Sequence, residues 1–494
     1  MNVSDKGLWK KEIESIRKPL EDGHRIALEK GISETAIIDF SSTSNPLGSP
    51  IDYPDCKLCL EDIFSRVESM YSQFPDNEYS ELRSSAAEYF GNNIAADNIV
   101  PALGVEDVIR MVFSSVIETG DTVLLNRSQN PADEKHCIIS GGEVNYVFED
   151  DLKNISSALL TKAKIIMLTN PDNLSGQLYS KTDLISLLQR CNDHSTLLVV
   201  DESLLDLTDV SATLADEVPS FNNLLVIRSL KDTFSLPGAG IAFSITNEKF
   251  AMILNRVRNC CNIGPMDEAV AISLLNMPSD IVNDYLTASR QFVRENRRYL
   301  MERLGKVRRF KTHESNTSFV LVDISAASLD SVELTHRLAE KGLLVRDCSD
   351  FYSMDCNFIR VSVRPKEDTD RLVEAIGTVV VDSARDSAME NLNQILDEEP
   401  VKPLGANRAC PYYPCHFKGQ DCTFCFCPFY PCGDERTGGR WVCRSSGGKV
   451  WSCEKCGLVH QKPTVQKLLD VLKGEGEMED KLKKGWDEVM EPLL

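Results

Sequence analysis

The sequence predicts a three-layer α/β/α domain built on a mostly parallel seven-stranded sheet, followed by a smaller α+β domain and a separate cysteine-rich module. Three observations support this architecture. The chain has 494 residues, which is too long for one compact core. Residues 90–250 alternate short, continuously apolar runs with amphipathic stretches, the pattern of a sheet covered by helices on both faces. Nine of the 17 cysteines lie between Cys410 and Cys456, in a segment of different composition.

The predicted strands of the large sheet are short apolar runs. Stretches with helical periodicity separate them, such as VEDVIRMVFSSVIE and KTDLISLLQRCN. We therefore expect seven strands, at NIVPAL near 98, DTVLLN near 121, VNYVF near 144, KIIMLT near 164, STLLVVD near 195, NLLVIRS near 223 and GIAFSI near 240.

A long helix and a second α+β pattern follow the seven runs. The helical segment DIVNDYLTASRQFVRENRRYLMERLG ends in Gly305. The smaller pattern consists of the strands NTSFVLVDI, LLVRD and FIRVSVR and the helices LDSVELTHRLAEKG and DTDRLVEAIGTVVVDSA. The charged, turn-rich stretch that comes next predicts a short helix and a linker.

These patterns divide the chain into six predicted segments. They are an N-terminal segment contributing to the small domain (1–49), the large domain (50–285), the small α+β domain (286–385), a linker (386–407), the cysteine-rich module (408–472) and a charged tail (473–494). An amphipathic helix is expected near PTVQKLLDVLKG, after the last cysteine.

The composition is that of an acidic globular protein. The net charge is −21, from 75 acidic and 54 basic residues, and this excess disfavours nucleic acid or an anionic membrane surface as a partner. No apolar run approaches the length of a membrane span, and the first thirty residues lack the apolar core of a signal peptide. The sequence therefore predicts a cytoplasmic protein without nucleic acid or membrane partners.

The cysteine-rich segment predicts a metal site. It contains two CxxC pairs, Cys422–Cys425 and Cys453–Cys456, and such a pair can place two thiolates on one metal ion. The run CPYYPCHFKGQDCTFCFCPFYPC is too rich in proline and cysteine for a regular helix or strand, so it needs a cross-link to hold a shape. A disulfide framework would suit a secreted chain, whereas a reducing cytoplasm favours metal.

The preferred metal ligands are eight of these cysteines, namely Cys410, Cys415, Cys422, Cys425, Cys427, Cys432, Cys453 and Cys456. His416 and His460 are possible further ligands, and Cys443 ranks last because it lies alone beside a glycine-rich turn. Tetrahedral thiolate sites suit both Zn²⁺ and an iron–sulfur cluster, so the identity of the metal stays open. We expect the module to serve stability, docking or sensing.

Six sequence motifs occur in order within about residues 20–385. They are IIDFSSTSNPLGSP (37–50), FPDNEYSELR (74–83), TNPDNLSG (169–176), VVDESLLDL (199–207), LLVRDCSDF (343–351) and FIRVSVR (358–364). Together they resemble motifs of threonine-phosphate decarboxylases and histidinol-phosphate aminotransferases, which are fold type I pyridoxal-phosphate enzymes. The last two are most similar to threonine-phosphate decarboxylase, the enzyme that makes the aminopropanol phosphate arm of cobalamin.

The resemblance implies an aspartate-aminotransferase-like fold, a homodimer and a site for pyridoxal 5′-phosphate. Asp201 matches the carboxylate that keeps the pyridine nitrogen protonated, which the cofactor requires as an electron sink. Asn170 matches the amide beside the ring oxygen. The cofactor phosphate is implied at a turn that opens a helix, where free backbone N–H groups favour an anion. The other implied cofactor contacts are Gly104, Val105 and Glu106 at that turn, and Ser229.

Arg346 and Arg360 match two arginines that hold the substrate's carboxylate or phosphate in the decarboxylase family, because a planar guanidinium fits those oxyanions. With Asn170 they imply a phosphorylated amino acid as the substrate. The leading interpretation is a threonine-phosphate decarboxylase-like enzyme of cobalamin biosynthesis, with Lys231 as the Schiff-base residue. A histidinol-phosphate-type aminotransferase is a further alternative.

The lysine motif departs from the family. In RSLKDTFSLPGAGIAF (228–243), Asp232 occupies the aligned position of the Schiff-base lysine, Lys231 lies one residue earlier, and Gly240 replaces a phosphate-binding arginine. The aromatic residue that stacks on the cofactor ring corresponds to Asn130.

Two interpretations of this departure stay open. Either a one-residue slip brings Lys231 to the cofactor, or the chain is a catalytically degenerate homologue that binds a phosphorylated amino acid or a partner. Neighbouring residues of an extended segment point to opposite sides, which argues against the slip, although a bulge near the strand end could re-aim the lysine.

Overall fold

The structure of the chain is a computed structural model. It describes residue 16 and residues 22–494, except residues 52, 54–57, 75, 92, 148–154, 308, 328, 353, 398–400, 411 and 444–448 and the side chains of residues 384, 441, 443, 449 and 450. Most of the predicted N-terminal segment before residue 22, and the side chain of Cys443, therefore lie outside the described residues.

The described part contains short strands and helices of varied length. The strands are β1 Ile38–Phe40, β2 Ile99–Leu103, β3 Thr122–Asn126, β4 Glu143–Val147, β5 Ala163–Thr169, β6 Leu197–Asp201, β7 Leu224–Ser229, β8 Ile241–Thr246, β9 Lys311–Thr312, β10 Phe319–Asp323, β11 Leu343–Asp347, β12 Phe358–Ser362, β13 Arg440–Cys443 and β14 Lys449–Ser452. The α-helices are α1 Gly23–Glu29, α2 Leu60–Tyr71, α3 Ser80–Phe90, α4 Val105–Val116, α5 Pro131–Ser140, α6 Ser157–Lys162, α7 Lys181–Asp193, α8 Leu230–Thr233, α9 Glu248–Val257, α10 Pro265–Leu275, α11 Ser279–Gly305, α12 Ser331–Ala339, α13 Lys366–Asp397, α14 Lys462–Leu472 and α15 Met478–Gly485. Among the described residues, none of these helices combines the length and the apolar character needed to cross a membrane.

Seven strands form the sheet of the large domain, in the order β2-β8-β7-β6-β5-β3-β4. β8 runs antiparallel to both of its neighbours, and the remaining pairs are parallel. Each strand corresponds to one of the seven apolar runs predicted from the sequence. Every residue of β7 and β8 is buried, as expected for strands with a covered surface on both sides.

Helices cover both faces of this sheet. On one face Val200 and Val226 pack in a cluster that includes Ala269 of α10, and on the other face Val199 packs in a cluster that includes Val112 of α4. Because alternate residues of a strand point to opposite faces, the continuous apolar runs supply both clusters. The predicted three-layer α/β/α fold is confirmed.

The small domain is built on a five-stranded sheet with the order β1-β11-β12-β10-β9. β1 is parallel to β11, and the other pairs are antiparallel. Its core combines Phe40 of β1, Leu300 of α11, Leu334 of α12 and Leu372 of α13. Segments from both ends of the first 385 residues therefore meet in one core, and the long helix α11 ends at Gly305.

The last helix of the small domain continues into the predicted linker. α13 passes residue 386 without interruption and ends at Asp397. Leu392 and Ile395 of this helix pack in a cluster with Phe424 and with Leu468 of α14, so the end of α13 is held by apolar contacts with the cysteine-rich module. The module also contains a hairpin formed by β13 and β14. The other domain boundaries stay predictions.

Candidate functional site

The candidate site lies where β5, β6 and β7 end. These three strands are parallel neighbours, so their carboxyl ends meet at one edge of the sheet. Asn170 follows β5, Asp201 ends β6, and Ser229 ends β7 just before the short helix α8. The backbone N–H of Asn170 donates to the carbonyl of Asp201 over 2.8 Å, which ties two of these ends together.

Asp201 is a partly buried carboxylate at this edge. Its Oδ1 accepts hydrogen bonds from the backbone N–H of Ser203 over 2.9 Å and from the hydroxyl of the same residue. Burial raises the pKa of Asp201 to about 6, because a carboxylate loses hydration there; the charge of Asp232 acts in the same direction, and the bonds from Ser203 oppose the rise. Asp201 therefore sits near a second negative charge.

Asn170 is fully buried and has an unused donor. Its Oδ1 accepts a hydrogen bond from the backbone N–H of Tyr179 over 2.9 Å. Its Nδ2 has no hydrogen-bond partner among the described residues. A buried donor without an acceptor is costly and rare, so this amide fits a ligand oxygen.

Lys231 and Asp232 are neighbours in α8, but their side chains lie in different surroundings. The Lys231 side chain is exposed, and no described contact connects it with Asp201, Asn170 or Arg360. Asp232 is only 8% exposed. Its Oδ1 accepts a hydrogen bond from Thr43 Oγ1 over 2.9 Å, and its charge raises the pKa of Asp201. In a helix, successive side chains point about 100° apart, so the two residues face different surroundings.

Buried polar contacts hold the α8 turn in place. The backbone N–H of Asn45 donates to the carbonyl of Asp232 over 2.8 Å, and Asn45 Nδ2 donates to the carbonyl of Thr233 over 3.0 Å. The hydroxyl of Thr233 donates to Asp206 Oδ2 over 3.0 Å, and Asp206 forms a buried ion pair with Arg228. Asn45 belongs to the motif IIDFSSTSNPLGSP, which thereby fixes the orientation of Asp232.

Arg360 is a buried cation without a carboxylate partner. It is 6% exposed, and it forms no ion pair with any described residue. Its Nη1 donates to the backbone carbonyl of Asn173 and to Asn173 Oδ1, and its guanidinium lies 4.6 Å from the ring centre of Phe319. Nε has no partner, and burial lowers the pKa of Arg360 to about 10. An anionic ligand would supply a counter-charge to the guanidinium and an acceptor for its Nε.

Arg346 has a different environment from Arg360, although the two residues are paired in adjacent strands. Its Nη2 donates to both oxygens of Asp350, over 2.7 and 3.0 Å, and its Nη1 donates to the carbonyl of Asp347 over 2.6 Å. The charge of Arg346 is therefore balanced within the chain.

The turn implied for the cofactor phosphate contains carboxylates of its own. Gly104, whose φ is 82°, is the N-cap residue of α4. Val105 packs against the apolar cluster between α4 and the large sheet. Glu106 pairs with Lys135 and with His136 Nε2, the latter over 3.0 Å. Asp107 Oδ2 accepts from the backbone N–H of Leu103 over 3.2 Å. Two acids thus occupy the anion-favouring end of α4.

The other residues that the resemblance places at the cofactor form hydrogen bonds or lie against apolar side chains within the protein. The hydroxyl of Ser229 accepts from the backbone N–H of Lys231 over 3.2 Å and donates to the carbonyl of Ile241 over 3.3 Å. Asn130 caps α5 by accepting from the backbone N–H of Ala132 over 3.0 Å. At Gly240, a Cβ atom would lie 3.4 Å from Leu103, an apolar neighbour.

The sequence analysis did not single out Asp133, which belongs to the same group of acids. It is 3% exposed and accepts from Gln129 Nε2 over 2.7 Å. Burial raises the pKa of Asp133 to about 8, and the charges of Asp201 and Glu106 contribute to the rise. No local pattern marks this residue, because an aspartate in the first turn of a helix is ordinary on a protein surface.

A cavity of about 430 Å³ lies in the small domain, between α1, β1, β11 and α12. Arg346 lines it, whereas Asn170, Asp201, Asp232 and Arg360 do not.

These residues fit pyridoxal 5′-phosphate only in part. Asp201 and the unused Nδ2 of Asn170 fit the ring nitrogen and the ring oxygen. The residues that the sequence resemblance assigns to the aldehyde and the phosphate do not fit, since Asp232 would take the place of the lysine and Glu106 would lie beside the phosphate. We therefore derive no step through a covalently bound cofactor.

Residues 31–376 match the sequence model of Aminotransferase class I and II. The chain belongs to this aminotransferase family. A second match, to the Cysteine-rich small domain, covers residues 402–483.

Curated relatives of this aminotransferase chain include two archaeal histidinol-phosphate aminotransferases. The protein of Methanothermobacter thermautotrophicus is 26% identical over 366 residues, which cover 72% of this chain and 92% of the relative. The protein of Methanosarcina barkeri is 28% identical over 387 residues, with 76% and 99% covered. The sequence motifs favour threonine-phosphate decarboxylase within the same superfamily, whereas these relatives are named histidinol-phosphate aminotransferase.

Solved structures share the fold of this aminotransferase chain. Histidinol-phosphate aminotransferase from Sinorhizobium meliloti, in complex with pyridoxal-5′-phosphate, has a TM-score of 0.64 at 21% identity, covering 76% of this chain and 98% of that chain. L-threonine-O-3-phosphate decarboxylase from Porphyromonas gingivalis has a TM-score of 0.60 at 19% identity, covering 69% and 99%. The fold is therefore that of fold type I pyridoxal-phosphate enzymes.

In the cysteine-rich domain the eight predicted ligands form two neighbouring sets. Burial and the charges of Cys415, Cys422 and Cys410 raise the pKa of Cys425. Burial and the charges of Cys453, Cys456 and Cys432 raise the pKa of Cys427. Each set therefore has four thiols within electrostatic range.

Polar contacts surround the first set of thiols. Cys422 Sγ accepts from the backbone N–H of Asn407 over 3.4 Å, and Cys415 Sγ accepts from Gln420 Nε2 over 3.0 Å. His416 Nδ1 lies 3.3 Å from Cys415 Sγ. As they stand, no three His, Cys, Asp or Glu side chains of the described part are close enough together to hold a metal ion.

Proposed function

We propose that the aminotransferase-fold site of this chain binds a phosphorylated amino acid without forming a Schiff base. The observation that carries the proposal is the buried Asp232 at the aligned lysine position, beside Asp201. A Schiff base needs an amine to condense with the cofactor aldehyde, and a carboxylate cannot supply one. The buried guanidinium of Arg360, which lacks an ion-pair partner among the described residues, supports an anionic ligand.

The Schiff-base part of the proposal is tested by an absorption spectrum with added pyridoxal 5′-phosphate. We expect no near-visible band and no label on Lys231 after borohydride reduction and mass spectrometry. Asp232→Lys is the matched variant, and it should gain both the band and a label at position 232. A band in the unchanged protein, with the label on Lys231, would contradict the proposal. Binding itself is measured by calorimetry with O-phospho-L-threonine.

A second candidate is a threonine-phosphate decarboxylase-like enzyme that makes aminopropanol phosphate, with Lys231 forming the Schiff base. The fold shared with L-threonine-O-3-phosphate decarboxylase and the position of Lys231 in the same turn support it. Release of carbon dioxide from O-phospho-L-threonine, lost in Lys231→Ala, would favour this candidate over the first. A keto acid product would instead favour an aminotransferase of the histidinol-phosphate type.

For the cysteine-rich domain we propose two structural metal sites of four thiolates each. The support is the grouping of Cys410, Cys415, Cys422 and Cys425 apart from Cys427, Cys432, Cys453 and Cys456. Metal binding contributes to the folding free energy of such a small domain, because the unfolded chain does not contain a preformed site.

Elemental analysis of the natively purified chain tests the metal proposal. We expect about two zinc ions per chain, or iron with labile sulfide, on the usual four-thiolate stoichiometry. Cys422→Ser should lose one site and Cys453→Ser the other, whereas Cys260→Ser, at an exposed thiol of the large domain, should lose neither. A folded domain that contains neither metal would contradict the proposal.

A further inference from the structure

The candidate site contains two buried side chains of opposite charge, and neither has an ion-pair partner in the part of the chain that the structure describes. Asp232 is 8% exposed and Arg360 is 6% exposed. Among the described residues, no cation lies within ion-pair distance of Asp232, and no carboxylate lies within that distance of Arg360. A buried charge without a counter-charge is unfavourable, so the pair requires explanation.

Asp232 and Arg360 share one electrostatic environment without touching. Thr43, which donates to Asp232 Oδ1, follows Ser42 in the chain, and the carbonyl of Ser42 accepts a hydrogen bond from the hydroxyl of Ser362 in β12. Ser362 and Arg360 lie two residues apart in that strand, so their side chains point to the same face of the sheet. In agreement with this arrangement, the charge of Asp232 opposes the fall in the pKa of Arg360 that burial causes. They form no direct ion pair, so their charged atoms lie more than 4.0 Å apart. A ligand that carries both a positive and a negative group would supply each of them with a counter-charge.

Each side chain is oriented by the protein and keeps one atom unused. Thr43 holds Oδ1 of Asp232, and Oδ2 has no partner among the described residues. Asn173 holds Nη1 of Arg360, and Nε has none either. The bonds that orient these groups are made before any ligand arrives, which lowers the entropy lost on binding.

We infer that Asp232 and Arg360 together bind the zwitterion of a free amino acid, with the ammonium group at Asp232 and the carboxylate at Arg360. The inference rests on the proposed function and names the groups of the ligand that this site recognises. A lysine at position 232 would react with a cofactor and repel a free ammonium group. An aspartate forms an ion pair with it instead, so the substitution converts a reactive position into a recognition position.

Selectivity follows from the two charges. An amine without the carboxylate leaves Arg360 buried and unpaired, and an acid without the ammonium group does the same to Asp232. A buried hydrogen bond to a charged group contributes about 1.5–3 kcal/mol, so each truncation should weaken binding by roughly 10- to 100-fold. A site that recognised only phosphate would bind all three molecules alike.

Calorimetry on the full-length chain tests the inference. The probes are O-phospho-L-threonine, 1-amino-2-propanol O-phosphate, which lacks the carboxylate, and 3-phosphooxybutanoate, which lacks the ammonium group. We expect the first to bind at least about tenfold more tightly than the other two. Asp232→Asn should remove the preference for the ammonium group without weakening the binding of 3-phosphooxybutanoate. Asp193→Asn, the same change at an exposed position, should alter none of the affinities.

Two failures are distinguishable. If none of the three probes binds, the proposed function itself is wrong. If O-phospho-L-threonine binds but 3-phosphooxybutanoate binds equally well, and Asp232→Asn changes neither affinity, the inference is wrong and the proposed function stands. A circular dichroism spectrum of Asp232→Asn that matches the unchanged chain ensures that a loss of affinity reports on the charge rather than on folding.

Discussion

Asp133, Asp201 and Asp232 bring three carboxyl groups together at the carboxyl edge of the large sheet. Their proximity and burial raise the pKa of Asp133 to about 8 and that of Asp201 to about 6. A cationic group entering near Asp201 and Asp232 would therefore be favoured, whereas Asp133 holds its proton at neutral pH and contributes no negative charge there. This charge distribution agrees with an ammonium ligand at Asp232.

The pKa of Asp133 predicts a pH dependence of stability. The ordinary value of 3.8 applies to the unfolded chain, and the folded value is about 8, so between these values the folded state holds the additional proton. The free energy of unfolding therefore falls as the pH rises from about 4 to about 8. Asp133→Asn, which is uncharged throughout, should nearly equal the unchanged chain near pH 4 and exceed it near pH 8.5 by on the order of 5 kcal/mol, since about four pKa units at about 1.4 kcal/mol each separate the two states.

Urea unfolding at the two pH values measures this difference. Asp193→Asn serves as the control, because its exposed carboxylate should give the same difference at both. A gain from Asp133→Asn that is equal at pH 4 and pH 8.5 would mean that Asp133 is ionised in the folded chain.

At the scale of elements, the side chain of Asn45 joins the segment before residue 50 to both the α8 turn and α11. Asn45 Nδ2 lies within hydrogen-bond distance of the carbonyl of Thr233, the hydroxyl of Tyr285 at 3.0 Å and the hydroxyl of Ser289 at 2.8 Å. Tyr285 and Ser289 belong to α11, so three separate parts of the chain meet at this amide. The position of Asp232 therefore depends on contacts with elements far from it in sequence.

We predict that Asn45→Ala lowers the free energy of unfolding by about 2–4 kcal/mol, because it leaves buried polar groups without partners. Amide hydrogen exchange should accelerate at Asp232 and Thr233 more than in the strands of the large sheet. Asn192→Ala, at an exposed asparagine, is the control and should change neither quantity. Unchanged exchange at the turn would show that Asn45 does not hold it.

At the scale of the whole molecule, the resemblance to fold type I enzymes predicts a homodimer. α2 and the loop after it expose large apolar side chains, with Phe64 at 58%, Tyr71 at 72% and Phe74 at 98% exposure. Such a group of apolar side chains favours burial against a second copy. We expect sedimentation velocity to give a dimer at micromolar concentration.

Phe64→Glu should shift this equilibrium toward the monomer, because it places a charge in the proposed interface. Met252→Glu changes an apolar side chain of 52% exposure on another helix and should leave the dimer intact. A monomer in the unchanged chain would contradict the expectation.

Much of the fold could be predicted from the sequence because it is encoded by local patterns. Seven continuous apolar runs predicted seven strands, and the amphipathic segment before Gly305 predicted the helix α11. The end of α13 was harder to predict, since the charged segment after residue 385 has the composition of a linker. It is helical because Leu392 and Ile395 are buried against residues of the cysteine-rich domain.

The sequence by itself determined the fold class, and it predicted the aminotransferase motifs, the position of Asp232 in place of the aligned lysine and the set of candidate thiols. The tertiary structure alone decided that Asp232 is buried while Lys231 is exposed, that Arg360 lacks a partner among the described residues, and that Asp133 joins the acids at the sheet edge. The reason is physical. Strand and helix patterns depend on residues a few positions apart, whereas burial, pKa and the pairing of charges depend on groups brought together from distant parts of the chain.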